Sequence, residues 1–395
     1  MIDEFPKKLL LNNVRLVLPD RELPAGALLV ENGRIAAIGS AQSLQTGAGA
    51  EQIDLSGATL LPGFIDVHIH GAVGVDTMAA AAPDLERVSQ FLAQRGVTGW
   101  LPTLVPGPAT DYAQAITAIN VAAATTAGAR ILGVHYEGPF VNNLQCGALH
   151  SQFFRSFAGA GDLDDLPRLA AERARHMITV APEIAGGIEL VRELGRRGWI
   201  VSLGHTRADF ALLDQACEAG ARHLTHFMNA MAPLHQRAPG PIGWGLSRDD
   251  VSCDFIADGV HLDRQMLRLL LKLKSAERLS LISDAVSPTG LGDGDYEIWG
   301  ETITVKDGRT GNAHGAIAGS VITMLEGVRL MLSLGASEVE VAKMAATNPA
   351  RLLGIDHECG SIEAGKRADL VALDAVGNVA LTLVAGSVAF AAEKQ

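Results

Sequence analysis

Six polar residues stand where apolar runs stop: His68 and His70 in Phe64-Ile-Asp-Val-His-Ile-His70, Glu137 closing Ile131 to Glu137, His205 in Gly204-His-Thr206, His226 in Thr225-His226, and Asp284 in Ser283-Asp284. Two histidines two positions apart on an extended strand point the same way, so His68 and His70 can face one ion. With Glu137, His205 and His226 the donors are nitrogen and oxygen only, a set that suits Zn²⁺, Fe²⁺, Co²⁺ or Mn²⁺ without choosing among them. Asp284 can be a ligand, or the carboxylate that takes a proton from an activated water and passes it to a leaving amine. His261, in Ala257-Asp-Gly-Val-His261, is placed to donate to a substrate carbonyl or hydroxyl. Singly, each of these is also at home as a core histidine or a structural carboxylate. Their recurrence at successive strand ends is what points to a metal centre.

Such groups need a scaffold that brings strand ends together. From about Pro62 the chain alternates apolar strand, polar link and amphipathic helix, the signature of a parallel sheet wrapped by helices. Eight strands are expected: Phe64 to His70, Gly99 to Val105, Ile131 to Glu137, Met177 to Glu183, Ile200 to His205, Leu224 to Met228, Ser252 to Ala257 and Leu279 to Asp284. Helices are expected at Asp84 to Arg95, Asp111 to Ala127, Gly187 to Arg197, Asp209 to Ala219 and Asp263 to Leu273. Eight such units imply a (β/α)₈ TIM barrel, whose reactive groups sit at the C-terminal ends of the strands. The link from Met231 to Asp250, rich in proline and glycine, reads as a long functional loop. An insertion follows at about Gly290 to Gly319, then helices at about Ser320 to Ser333 and Glu338 to Thr347.

The two ends have a different rhythm. Leu9 to Leu18, Ala27 to Val30, Arg34 to Ile38 and Thr59 to Leu60 are short β runs, with a turn at Glu31-Asn32-Gly33. Gly360 to Asp374 reads as strand, glycine-containing turn and strand, followed by a β tail. The expected organisation is a small β-sandwich domain from residues 1–61 and 355–395, flanking a catalytic barrel at 62–354.

Composition agrees with a large core: 395 residues, 48% hydrophobic and 19% charged. The net charge of −12 argues against a broad nucleic-acid surface, which would need clustered cations. The cysteines Cys146, Cys217, Cys253 and Cys359 form no CxxC pair, so neither a disulfide framework nor a thiolate zinc site is expected, and a reducing cytoplasm is the simplest compartment. Lys7 and Lys8 precede an apolar stretch that Asn12, Asn13 and Arg15 interrupt, so no export signal is expected, and no run of 18 apolar residues suggests a membrane span.

The motifs Pro62-Gly-Phe-Ile-Asp-Val-His-Ile-His-Gly71, His135-Tyr-Glu-Gly-Pro-Phe140, Ala181-Pro-Glu183, Thr225-His-Phe-Met-Asn-Ala-Met231, Ala257-Asp-Gly-Val-His261, Ala318-Gly-Ser320 and Thr347-Asn-Pro-Ala350 resemble the amidohydrolase superfamily and, within it, the N-acetylglucosamine-6-phosphate deacetylases. The resemblance covers nearly the whole chain. It implies that Glu137, His205 and His226 bind one metal, that Asp284 is general base and acid, and that His68 and His70 offer a second site bridged through Glu137, with zinc first among the candidate ions. It further implies substrate contacts at Ala148, His150, Asn229, Ala230, His261 and Ile317, and a homodimer in which Arg237 reaches the phosphate in the neighbouring subunit. One departure stands out: the loop after Phe140 reads Val141-Asn-Asn-Leu-Gln-Cys-Gly-Ala-Leu149-His150, without the family's basic residues and with Leu149 in place of a histidine. That keeps open a deacylase or cyclic amidase for an unphosphorylated N-acyl substrate, such as N-acetylglucosamine or N-acetylgalactosamine. A barrel kept only as a binding scaffold would be expected to have lost ligands, and none is missing.

Overall fold

The computed structural model describes residues 8–40, 42–44, 50–125, 127–313 and 315–393. Lys7, residue 126 in the expected second helix, residue 314 in the insertion, and residues 1–7, 41, 45–49 and 394–395 of the terminal unit lie outside the described residues.

Eight parallel strands form the barrel: Phe64–Ile69, Val97–Leu104, Gly133–Glu137, Arg175–Val180, Ile200–Leu203, His223–Leu224, Ser252–Ile256 and Leu279–Ile282, with the two-residue strand Arg130–Ile131 as a ninth member of the sheet beside Val97–Leu104. Neighbours pair in chain order. The eighth strand meets the first at a seam where Asp284 N–H donates to the His68 carbonyl at 2.9 Å and His70 N–H to the Ala285 carbonyl at 2.8 Å. Beneath them the Asp66 carboxylate accepts the Ser283 hydroxyl at 2.5 Å. The barrel is thus a nearly closed TIM barrel, with strands such as Phe64–Ile69 buried on both faces.

Helices lie at Ala82–Ala93, Ala109–Thr125, Gly187–Arg196, Phe210–Glu218 and Arg264–Leu273, close to the expected ranges. Their starts follow capping chemistry: Asp209 accepts from Leu212 N–H at 3.0 Å and Asp263 from Gln265 N–H at 2.7 Å. The Met231 to Asp250 link is not loop throughout. Gly240–Ser247 is a helix with Pro241 in its first turn, where the missing N–H costs nothing, and a cluster of glycine and proline concealed it. The sixth strand is only two residues long, because the chain turns at once through His226 and Met228 with positive φ.

Strands Lys8–Val17, Glu22–Glu31, Arg34–Gly39, Glu51–Asp54 and Thr59–Pro62 join Leu370–Leu373, Val379–Val384 and Ser387–Ala391 in one eight-stranded sheet, so both ends of the chain build the β unit. It curls round its own apolar interior, including Leu11, Leu28, Leu60, Leu370 and Leu383. The turn at Asn32 and Gly33 takes the left-handed pair that a two-residue hairpin requires. Of the expected strand, turn and strand in Gly360 to Asp374, only Leu370–Leu373 is a strand; the preceding stretch turns back, tied by Arg367 to Glu358 and Asp369. The insertion after the eighth strand is a three-stranded antiparallel sheet, Gly294–Ile298, Glu301–Lys306 and Arg309–Gly311, that buries Ile298 and Ile303 against Val286 and Ala318. Among the described residues no helix is long and apolar enough to cross a membrane.

Candidate metal centre

At the C-terminal mouth of the barrel four imidazoles and two carboxylates converge. His205 Nε2 and His226 Nε2 lie 2.9 and 2.8 Å from Glu137 Oε1 and 3.1 Å from each other. His68 Nε2 and His70 Nε2 are 3.2 Å apart, 3.6 Å from Glu137 Oε1 and 3.3 Å from Glu137 Oε2 respectively. Asp284 Oδ1 stands 3.4 Å from His68 and 3.3 Å from His70. Two groups able to hold a metal ion result, His68 with His70 and Glu137, and Glu137 with His205 and His226. Glu137 is common to both.

The donor chemistry fits a cation. His205 Nδ1 donates to the Gln145 carbonyl at 2.7 Å, which fixes the proton there and leaves Nε2 a lone pair. That lone pair faces the Glu137 carboxylate, an acceptor against an acceptor, and a shared positive ion reconciles the two. Burial opposes charge on Glu137, yet the surrounding histidines hold its pKa well below the usual carboxylate range. Burial likewise resists protonation of His70, but Asp284 and Glu137 outweigh it and lift its pKa to about 10. Asp284 is held below its ordinary value against burial, chiefly by His68 and then His70. The cluster attracts positive charge.

The backbone at these positions is unusual. His205, His226 and Asp284 all adopt positive φ, of 48°, 30° and 48°, a region that non-glycine residues rarely occupy. Such strain persists only where surroundings enforce it. Ser320 supplies part of that enforcement: its N–H donates to the Asp284 carbonyl at 2.7 Å and its hydroxyl to the Ser283 carbonyl at 2.5 Å. Gly319 beside it has φ of +61°, and a Cβ there would meet the Asp284 carbonyl oxygen at 2.8 Å. The Ala318-Gly-Ser320 motif therefore seats Asp284.

A second layer of carboxylates braces the first. Asp66, pushed up to about 6 by burial, accepts from the His68 and Ser283 backbones at 3.3 Å each. Asp254 accepts from the His226 backbone N–H and lies 3.0 Å from His223 Nε2. Glu183 ties together Asn142, Thr206 and the Arg207 backbone at 2.7, 2.6 and 2.6 Å. Asp258 lies 2.6 Å from His261 Nδ1, which orients the ring, and His261 lines the cavity. Sequence reasoning assigned none of these four a role, although Asp66 precedes His68 by two on the same strand face and Asp258 precedes His261 by three.

The cavity above the cluster is about 270 Å³. His70, Glu137, His205, His226, His261 and Asp284 line it, as do Ala148, Asn229, Ala230 and Ile317 of the expected substrate contacts. Asn229 Nδ2 is buried without a hydrogen-bond partner among the described residues, a donor awaiting an acceptor. His150 instead lines the neighbouring cavity, with Nε2 3.9 Å from Glu301. Arg237 is exposed on the His235 to Ala238 turn and is not part of the lining.

Residues 59–389 match the family described as Amidohydrolase family. The chain is 35% identical to the N-acetylglucosamine-6-phosphate deacetylase of Bacillus subtilis strain 168, over 97% of this chain and 98% of that one. It is 34% identical to the N-acetylgalactosamine-6-phosphate deacetylase of Escherichia coli O157:H7, over 95% and 97%. Among solved structures it is similar to an N-acetylglucosamine-6-phosphate deacetylase from Pasteurella multocida, with TM-score 0.88, 30% identity, and 96% and 99% of the two chains covered. It is equally similar to a mutant of the Mycobacterium smegmatis deacetylase in complex with N-acetyl-D-glucosamine-6-phosphate, with TM-score 0.87, 30% identity, and 97% and 99% covered.

Proposed function

Because the chain belongs to the amidohydrolase family, and within it to the amino-sugar-phosphate deacetylases, we propose that it hydrolyses N-acetylglucosamine 6-phosphate to glucosamine 6-phosphate and acetate. The observation that carries the reading is the Asp284 carboxylate poised over a histidine and glutamate cluster, beside a cavity with an unpaired amide donor at Asn229. The proposed metal is zinc, one ion at Glu137, His205 and His226, with His68 and His70 providing for a second. Bound there, a divalent ion supplies a Lewis acid that polarises the amide carbonyl and makes water acidic.

The chain's own residues do the rest. Asp284, kept ionised by His68 and His70, accepts a proton from the attacking water as the oxygen adds to the carbonyl carbon. It returns that proton to the amide nitrogen as the carbon–nitrogen bond breaks, which releases the free amine and acetate. His261, oriented by Asp258, holds the carbonyl or a sugar hydroxyl, and Asn229 donates to the sugar phosphate. Arg237, outside the cavity of its own subunit, is proposed to reach the phosphate bound in its neighbour within a homodimer. The enzyme is proposed to work in the cytoplasm.

A second reading has one observation in its favour: among the described residues no lysine or arginine lines the cavity. It makes the substrate an unphosphorylated N-acyl sugar. Acetate release from N-acetylglucosamine, N-acetylgalactosamine and their 6-phosphates, with Arg237→Ala alongside, separates the two. Faster release from the phosphates, reduced in the variant, supports the first; equal rates with and without phosphate support the second.

A further inference from the structure

The mouth of the barrel has two flanks of opposite character. Asn229 and Ala230 follow the sixth strand and His261 the seventh, so the polar groups gather on that side. Over the first three strands lies a second cavity of about 500 Å³, with Val105, Pro106 and Phe153 on its wall together with His150 and three acidic residues, Asp76, Asp111 and Glu297. Among the described residues three line both cavities: Ala148, Leu149 and Trp299. They form the partition between them.

Trp299 is the bulk of that partition, and its placement is costly. It is the first residue of the two-residue turn between Ile298 and Glu301, with φ of 51° followed by Gly300 at 80°. Hairpin turns of this left-handed kind favour asparagine followed by glycine, and a bulky aromatic residue at the first position is strained. Its buried Nε1 faces the Asp76 carboxylate without a hydrogen bond of ordinary length and angle among the described residues. The indole packs against the His70 ring in a T-shaped arrangement, centroids 5.1 Å apart and planes at 81°, so it closes one side of the metal cluster. Turn stability does not account for a tryptophan here.

We infer that Trp299 sets the length of the N-acyl group, walling the acyl end of the site at acetyl and closing off the larger cavity beyond it. The inference rests on the deacetylase reading. Amide cleavage places the scissile carbonyl at the cluster, with the amine half on one side and the acyl half on the other. The sugar and its phosphate require donors and are repelled by Asp111 and Glu297, so they take the flank of Asn229 and His261. The acyl group is left the opposite flank, and there it meets the indole of Trp299.

The test measures kcat/KM on N-acetyl, N-propionyl and N-butyryl glucosamine 6-phosphate for the metal-loaded wild type, Trp299→Asn and Trp299→Phe. Asparagine before Gly300 is the preferred turn sequence, so the first variant removes the wall without endangering the hairpin. A hydrophobic wall discriminates by about tenfold or more per methylene, so wild type should favour acetyl over butyryl by about 100-fold or more. Trp299→Asn should raise the butyryl-to-acetyl ratio by at least about tenfold, and Trp299→Phe should change it by less. Ligand affinity measured in an Asp284→Asn background, where turnover is slowed by about 100-fold or more, should shift the same way. Unchanged ratios of turnover and of affinity in Trp299→Asn, or a wild type that accepts butyryl as readily as acetyl, would overturn the inference. Failure of the wild type to release acetate from any of these sugars would instead overturn the deacetylase reading.

Discussion

The metal cluster and the rim above it are built by different rules. In the cluster, His68, His70, Glu137, His205, His226 and Asp284 are all buried, held at strand ends and braced from below by Asp66 and Asp254. On the rim, Arg237 is exposed on a short turn, His150 faces a separate cavity, and Trp299 rides on an inserted hairpin. Rigid strands hold the reacting groups in place, whereas loops can be lengthened or re-aimed without disturbing the barrel. The difference teaches that reaction type and substrate choice are separable in this molecule: changes to the cluster should abolish turnover, and changes to the rim should shift preference.

The largest effect should come from Glu137, which serves both metal groups. Glu137→Ala should strip bound transition metal and reduce acetate release to background, checked by metal analysis alongside the assay; retention of metal and activity would place the centre elsewhere. Next is Asp258→Asn, which loosens the orientation of His261 without touching the cluster. It should lower kcat/KM by about 10- to 100-fold while metal content stays constant, the loss expected for one buried charge-assisted hydrogen bond. Arg237→Ala should raise KM for the 6-phosphate by about tenfold or more with kcat nearly unchanged, and leave unphosphorylated sugars unaffected. A change confined to kcat would break the division between rim and cluster.

The smallest effect lies away from the mouth. His176 is held neutral, its pKa lowered from 6.5 to about 4 by burial and then by Arg168, and its Nε2 accepts the Leu169 N–H at 3.0 Å. The folded state therefore takes up this proton later than the unfolded chain. Its contribution is complete above about pH 6.5 and is lost as pH falls towards 4. Melting temperatures of His176→Gln should accordingly decline less steeply than wild type across that window, with activity at neutral pH unchanged.

The same division governs what the sequence makes legible. The eight barrel strands and the cluster are readable because an apolar run ending in a ligand-type residue leaves a pattern in linear order, as at Val134 to Glu137. The sixth strand is overestimated because the apolar character of Phe227 and Met228 continues past the point where positive φ turns the chain. The helix Gly240–Ser247 escapes because its glycines and prolines have poor helix propensity and burial of Ile242 and Trp244 overrides it. Asp66 and Asp254 act through contacts with residues up to 217 positions away, which spacing alone does not reveal. Trp299 gives no local sign at all. Its turn lacks the usual asparagine, and its importance comes only from the cavity that the folded hairpin closes.

The most direct test of the central claim is the activity and metal content of Asp284→Asn, measured on the same preparation with N-acetylglucosamine 6-phosphate. If Asp284 carries the proton from water to amine beside an intact centre, the variant should retain its metal while kcat falls by about 100-fold or more. Near-normal turnover with full metal would contradict the account.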